Sequence, residues 1–171
     1  MYKILCTGNP THATIASGIQ KIFPEADFAS RATGYDLRMW DPSDEEFFCN
    51  HIVNYNVLIN SAFVSTGAQQ KILELTHKCW KVGHIINIGS TAEYEGRNSF
   101  FPLYSIQKRA LRDLSLSMNS KYLKTTHITL GGLNDGKEEN KNNLDPIEVA
   151  KVVKWILESK LNIPIIGLEK L

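Results

Sequence analysis

Tyr104 and Lys108 stand four residues apart in the stretch FPLYSIQKRAL, residues 101–111. Side chains four apart share one face of a helix at about 6 Å, so a helix here would set an ammonium beside a phenol. Tyrosine alone titrates near ~10 and is a poor proton donor or acceptor at neutrality. At about 4 Å and an effective dielectric of about 20, opposite charges interact by about 4 kcal/mol, an upper figure worth ~3 pKa units. The expectation is a phenol brought toward working pH and able to act in acid–base catalysis. The chain holds six tyrosines, so the pair alone also fits a helix flank with an exposed lysine and a half-buried tyrosine.

Two further stretches carry residues of the right type. HIINIGS (84–90) ends in Ser90, followed by Thr91. A hydroxyl at the end of a strand and a tyrosine in the first turn of the next helix converge on the carboxyl edge of a sheet, and Thr91 is a rival for the role of Ser90. ILCTGNPTHATIA (4–16) joins an apolar run to a helical pattern, where backbone N–H groups and a helix dipole can meet a phosphate. Gly8 is its sole glycine, with His12 and Thr14 where further glycines would let the backbone approach closely. An ordinary strand-to-helix turn reads the same way.

These residues need a scaffold, and the pattern supplies one. Short Ile/Val-rich runs at 2–7, 26–30, 57–63, 84–90, 126–132 and 163–167 read as buried parallel strands. DLRMWD (36–41) reads as a weaker strand closed by Asp41-Pro42. Helical spacing of apolar residues covers 11–22, 43–55, 67–80, 102–122 and 146–160, with Pro102 and Pro146 suited to first turns. The alternation predicts an α/β fold: a Rossmann-like doubly wound parallel sheet of about seven strands with helices on both faces, 1–171 forming one domain. Ligands on such sheets sit at the strands' carboxyl ends. The polar stretch LNDGKEENKNNLD (133–145) follows the sixth of these strands and reads as a mobile loop or lid.

Composition narrows the function classes. The chain has 171 residues, 43% hydrophobic and 22% charged, with net charge +1 and no Lys/Arg block. Neither a nucleic-acid stripe nor a membrane-surface patch is visible. No run of about 18 apolar residues and no signal peptide is visible, so the chain reads as cytoplasmic. Cys6, Cys49 and Cys79 are unclustered and read as reduced core thiols. No metal-ligand set stands out.

In order, Thr7-Gly8, Asn60-Ser61-Ala62, IINIGS ending at Ser90, then Tyr104 and Lys108 resemble the short-chain dehydrogenase/reductase family, as a shortened member. The family patterns are TGxxxGxG, NNAG, a strand-end serine and YxxxK. The resemblance implies Tyr104 as general acid/base, Lys108 as the group that lowers its pKa and holds the nicotinamide ribose, and Ser90 as the hydroxyl that orients a carbonyl. It assigns cofactor contacts to Gly8, Asn9, Pro10, Thr11 and His12, to Asn60, Ser61 and Ala62, and to Asp41 near adenine. After the second strand an acid would favour the free ribose of NAD(H) and a cation the 2′-phosphate of NADP(H). ASRATG offers Ser30-Arg31 and no acid, which implies NADPH over NADH. The implied reaction interconverts a carbonyl and an alcohol on a small substrate, and the implied assembly is a homodimer or homotetramer through the helices at 67–80 and 102–122. Val64 stands where the family places an asparagine, Gly131-Gly132 replaces its Pro-Gly, and the loop at 133–145 is short, which points to a small or polar substrate or an open site. Tyr94, Phe100 and Phe101 are candidates for a pocket wall. A catalytically silent nucleotide-binding or regulatory module of the same fold is the alternative reading.

Overall fold

The computed structural model describes residues 1–11, 13–38, 42–94 and 101–170. Among them, strands and helices alternate: β1 (Ile4–Thr7), α1 (Ile15–Ile22), β2 (Asp27–Ala29), α2 (Pro42–Ile52), β3 (Val57–Asn60), α3 (Ala68–Cys79), β4 (Gly83–Ile88), α4 (Pro102–Met118), β5 (Leu123–Leu130), α5 (Pro146–Glu158) and β6 (Ile165–Leu168). The strands form one parallel sheet in the order β2-β1-β3-β4-β5-β6. The chain runs from β1 to one side for β2 and then to the other for β3. The carboxyl ends of β1 and β3 therefore part at a switch point, where sheets of this kind open a cleft.

Side-chain alternation along each strand builds a core on each face. Ile4 and Cys6 of β1, Val57 and Ile59 of β3 and Ile86 of β4 pack with Ile15 and Ile19 of α1 and Val149 and Val153 of α5. The intervening Leu5, Leu58 and Ile85 point to the opposite face, against Phe48 and Ile52 of α2, Ile72 and Leu73 of α3 and Leu111 of α4. Gly18 permits the close crossing of α1 and α5, because a Cβ there would overlap the carbonyl of Pro146. Asp145 caps α5, its Oδ1 accepting from the Ile147 N–H at 2.7 Å.

The sheet has six strands where about seven were expected. Asp36 turns the chain back on itself: its Oδ1 accepts from the Arg38 backbone N–H at 3.1 Å, an Asx turn incompatible with a strand through 36–38. Residues 39–41 lie outside the described residues. Several expected ends shorten: the strand at 57–63 stops at Asn60, the helix at 11–22 begins at Ile15 and the helix at 102–122 stops at Met118. The stretch at 133–145, expected to be mobile, is closed by a Leu133–Leu144 bridge and holds a short 3-10 turn, Glu138–Asn140. The cysteine expectation fails for two of three residues. Cys49 of α2 and Cys79 of α3 form a disulfide, with Cα atoms 6.1 Å apart, and Cys6 alone is free and buried. α2 and α3 lie side by side over the same face, which brings the two thiols within bridging distance. No helix among the described residues is long and apolar enough to cross a membrane.

Candidate active site

α4 starts at Pro102 and buries a polar stripe, Ser105, Lys108 and Ser115, beside Leu111. The stripe faces the end of β4, so Tyr104 in the first turn meets the segment that follows Ile88. There the Tyr104 phenol lies close enough to Ser90 for that hydroxyl to pull its pKa down. Of the two expected hydroxyls, Ser90 is the one that acts on the Tyr104 phenol, and Thr91 begins a 3-10 turn, Thr91–Tyr94. Ser90 Oγ accepts from the Ala92 N–H at 3.3 Å.

Lys108 is 3% exposed. Its Nζ donates to Gln69 Oε1 at 2.7 Å and to the Ile88 carbonyl at 2.8 Å, and it stands 5.5 Å from the centre of the Tyr104 ring. Burial pushes its pKa down to about 7, against an opposing pull from Glu93. The Tyr104 phenol is pushed up from its ordinary value, first by burial and also by the Glu93 charge, with the nearby Ser90 hydroxyl pulling it down. The expected lowering of the phenol pKa by a lysine cation is therefore not what this arrangement produces. The amine is engaged on its buried side by Gln69 and Ile88, and burial at neutral pH leaves it only partly charged.

Behind Ser90 lies a buried group that the sequence reading missed. Glu93 Oε2 bonds His127 Nε2 at 2.8 Å and Oε1 accepts from Thr129 at 2.6 Å. Burial pushes the Glu93 carboxyl up, but these two hydrogen bonds and nearby positive charge leave it below its ordinary value. Gly89 makes room for the pair, since a Cβ there would overlap His127. Phe63 was missed as well: its ring meets Tyr104 edge-on at 4.7 Å. Its position directly after Asn60-Ser61-Ala62, where the NNAG pattern has glycine, was the signal available in the sequence.

A cleft of about 440 Å³ opens at the switch point and is lined by Gly8, Asn9, Ser30, Arg31, Tyr35, Asp36, Arg38, Ala62, Phe63 and Val64, among others. Gly8 holds φ of +125°, and a Cβ there would stand 3.3 Å from Ala16, so only glycine lets the backbone face the cleft this closely. Of the expected cofactor contacts, Gly8, Asn9, Ser30, Arg31 and Ala62 share this cleft. Pro10 and Thr11 line a neighbouring hollow with Asn134 and Asp145. Ser61 ties β3 to β1, its N–H donating to Thr7 Oγ1 at 2.9 Å. Asn60 is buried away from the cleft and donates to the Gln69 carbonyl at 2.8 Å. His12, Asp41 and Phe100 lie outside the described residues. Tyr94 and Phe101 are exposed, and Tyr94 carries the Arg112 guanidinium 5.5 Å above its ring.

No family model matches the sequence, and no curated protein sequence matches it. Solved structures do match its architecture. A serine dehydrogenase complexed with NADP+ aligns with a TM-score of 0.70 at 19% identity, over 97% of this chain and 94% of that one. A short-chain dehydrogenase of Sphingobium yanoikuyae in complex with NADPH gives 0.74 at 13% identity, over 96% and 87%. The chain has the short-chain dehydrogenase fold. A 3-alpha-hydroxysteroid dehydrogenase from Pseudomonas sp., complexed with NADH, gives 0.72 at 10% identity, over 97% and 95%. On the short-chain dehydrogenase fold the switch-point cleft, Ser90, Tyr104 and Lys108 all lie at the carboxyl edge of the sheet.

Proposed function

We propose that the chain, acting as one dinucleotide-binding domain of the short-chain dehydrogenase/reductase family, is an NADP(H)-dependent oxidoreductase that interconverts a carbonyl and an alcohol on a small substrate. The observation that carries this reading is the convergence of Ser90, Tyr104 and a buried Lys108 at the carboxyl edge of the sheet, with Lys108 Nζ 5.5 Å from the centre of the Tyr104 ring. The cleft residues fit the cofactor: the backbone at Gly8 can approach a pyrophosphate, and Ser30 and Arg31 line the same cleft and could meet a 2′-phosphate, while Arg38 there is paired with Asp36. When bound, NADP(H) supplies the hydride chemistry. Ser90 orients the carbonyl oxygen by donating to it, Tyr104 holds or gives the proton at its phenol oxygen, and Lys108 holds its amine, charged in part at neutral pH, 5.5 Å from the Tyr104 ring centre. Phe63 and Val64 supply apolar wall to the same cleft. The substrate is small or polar, because the bridged loop at 133–145 adds few apolar residues to cover it.

The test is turnover over a panel of small carbonyls and alcohols with NADPH and NADH. Measurable NADPH oxidation that Tyr104→Phe abolishes, with NADPH affinity unchanged, supports the reading. Binding without turnover across the panel supports the alternative, a catalytically silent nucleotide-binding module. One observation favours that alternative: the Tyr104 phenol is pushed up in pKa and Lys108 is engaged by Gln69 and Ile88.

A further inference from the structure

Gln69, the second residue of α3, is 3% exposed and carries three fixed polar contacts. Its Nε2 donates to the Asn60 carbonyl at 2.8 Å and to the Ile88 carbonyl at 3.2 Å. Its Oε1 accepts from Lys108 Nζ at 2.7 Å. The amide cannot be turned over, because a flip would aim its oxygen at two carbonyl oxygens and its NH2 at an amine. The carbonyl partners at the ends of β3 and β4 thus fix which end of Gln69 faces Lys108. The clamp is completed by Asn60 Nδ2, which donates to the Gln69 backbone carbonyl at 2.8 Å and to Asn87 Oδ1 at 2.9 Å.

We propose that Gln69 is a positioning residue for Lys108: it anchors the lysine amine from the buried side, fixes its distance from Tyr104 and favours its charged form. The proposal deepens the oxidoreductase reading and rests on it for its catalytic meaning. A hydrogen bond accepted from the charged form of a group favours that form, and an acceptor lost from a buried ammonium leaves a donor unsatisfied. The other groups facing Lys108 are Tyr104 on its own helix, Glu93 after β4 with its partner His127 on β5, the Ile88 carbonyl and the Phe63 ring. Among the described residues, the acceptors that take a hydrogen bond from the amine are Gln69 Oε1 and the Ile88 carbonyl, and only the first is a side chain that substitution can remove.

The experiment follows the Lys108 side chain by carbon-13 NMR of protein labelled at lysine Cε, with the resonance assigned by its loss in Lys108→Arg. Gln69→Met keeps the length and removes the acceptor; the Lys108 midpoint is expected to fall by about 1 pH unit. Gln69→Leu removes the acceptor with a purely apolar side chain, and the midpoint is expected to fall there by a similar amount. Circular dichroism checks that each variant is folded. The pH limb of kcat for NADPH oxidation should shift with the midpoint, while KM for the substrate stays within about twofold. A folded Gln69→Met whose midpoint stays within about 0.3 unit of the parent overturns the proposal. If Gln69→Met does not fold, Gln69→Leu decides, and an unmoved midpoint there overturns it equally. Midpoints that move in a protein without turnover would refute the oxidoreductase reading and leave the anchoring role standing.

Discussion

Tyr104 and Lys108 occupy successive turns of α4, as their spacing predicts, yet the amine engages Gln69 and Ile88 instead of acting on the phenol alone. Tyr104→Phe removes the proton-transfer oxygen and is expected to lower kcat by about 100-fold or more with NADPH affinity unchanged, measured by steady-state kinetics and fluorescence titration. Lys108 makes a second prediction, on stability. Its pKa falls from 10.5 unfolded to about 7 folded, so below pH 7 both states are protonated and the penalty of a buried cation is fully present. As pH rises between those values the unfolded state holds the proton and the folded state does not, and the penalty fades. The parent should therefore gain on the order of 3 kcal/mol from pH 6.5 to 9.5 relative to Lys108→Met, measured by urea unfolding at both pH values. At this scale the placement of Tyr104 and Lys108 on one helix at the sheet's carboxyl edge, and of Gly8 and Arg31 at the cleft, was legible in the sequence, because residue type and spacing carry it. It did not reveal the direction of the Tyr104 shift, which depends on how deeply the side chains are buried. Nor did it reveal the Glu93–His127 pair, whose members lie 34 positions apart and meet only through the sheet.

At the scale of elements, the six strands and five α-helices of the described residues match patterns read from hydrophobic periodicity. The added seventh strand came from the apolar residues of DLRMWD, and it fails because Asp36 satisfies the Arg38 backbone locally and turns the chain. Leu37 is buried there all the same, packed beside α2, so apolarity marked burial and not strand. The α1–α5 crossing depends on Gly18. Gly18→Ala is expected to destabilise by about 2 kcal/mol, lowering Tm by roughly 5 °C, read by thermal unfolding. The bridge between α2 and α3 is checked by thiol titration of the denatured protein: one reactive thiol without reductant and three after reduction, where three in both would contradict the Cys49–Cys79 pairing. Their 30-residue separation gave no motif, since only the side-by-side packing of two helices on one face brings them together.

At the scale of the whole molecule, the outer face of α4 exposes Leu103 at 55% and Ile106 at 61%, next to Phe101 at 73%. An apolar strip of this kind suits contact with a second copy of the chain, as the resemblance implies for this helix. Sedimentation at micromolar concentration tests this: an oligomer that Ile106→Glu converts to folded monomer supports the contact, and a monomeric parent contradicts it. On the proposed function, the sheet order, the parting of β1 and β3 and the cleft between them hold a dinucleotide across the carboxyl edge beside Ser90, Tyr104 and Lys108. Fluorescence titration of the purified protein with NADPH and NADH tests that most directly. The account predicts saturable binding of NADPH well below millimolar concentration, tighter than NADH and weakened by Arg31→Ala. Failure of both nucleotides to bind below millimolar concentration would contradict it.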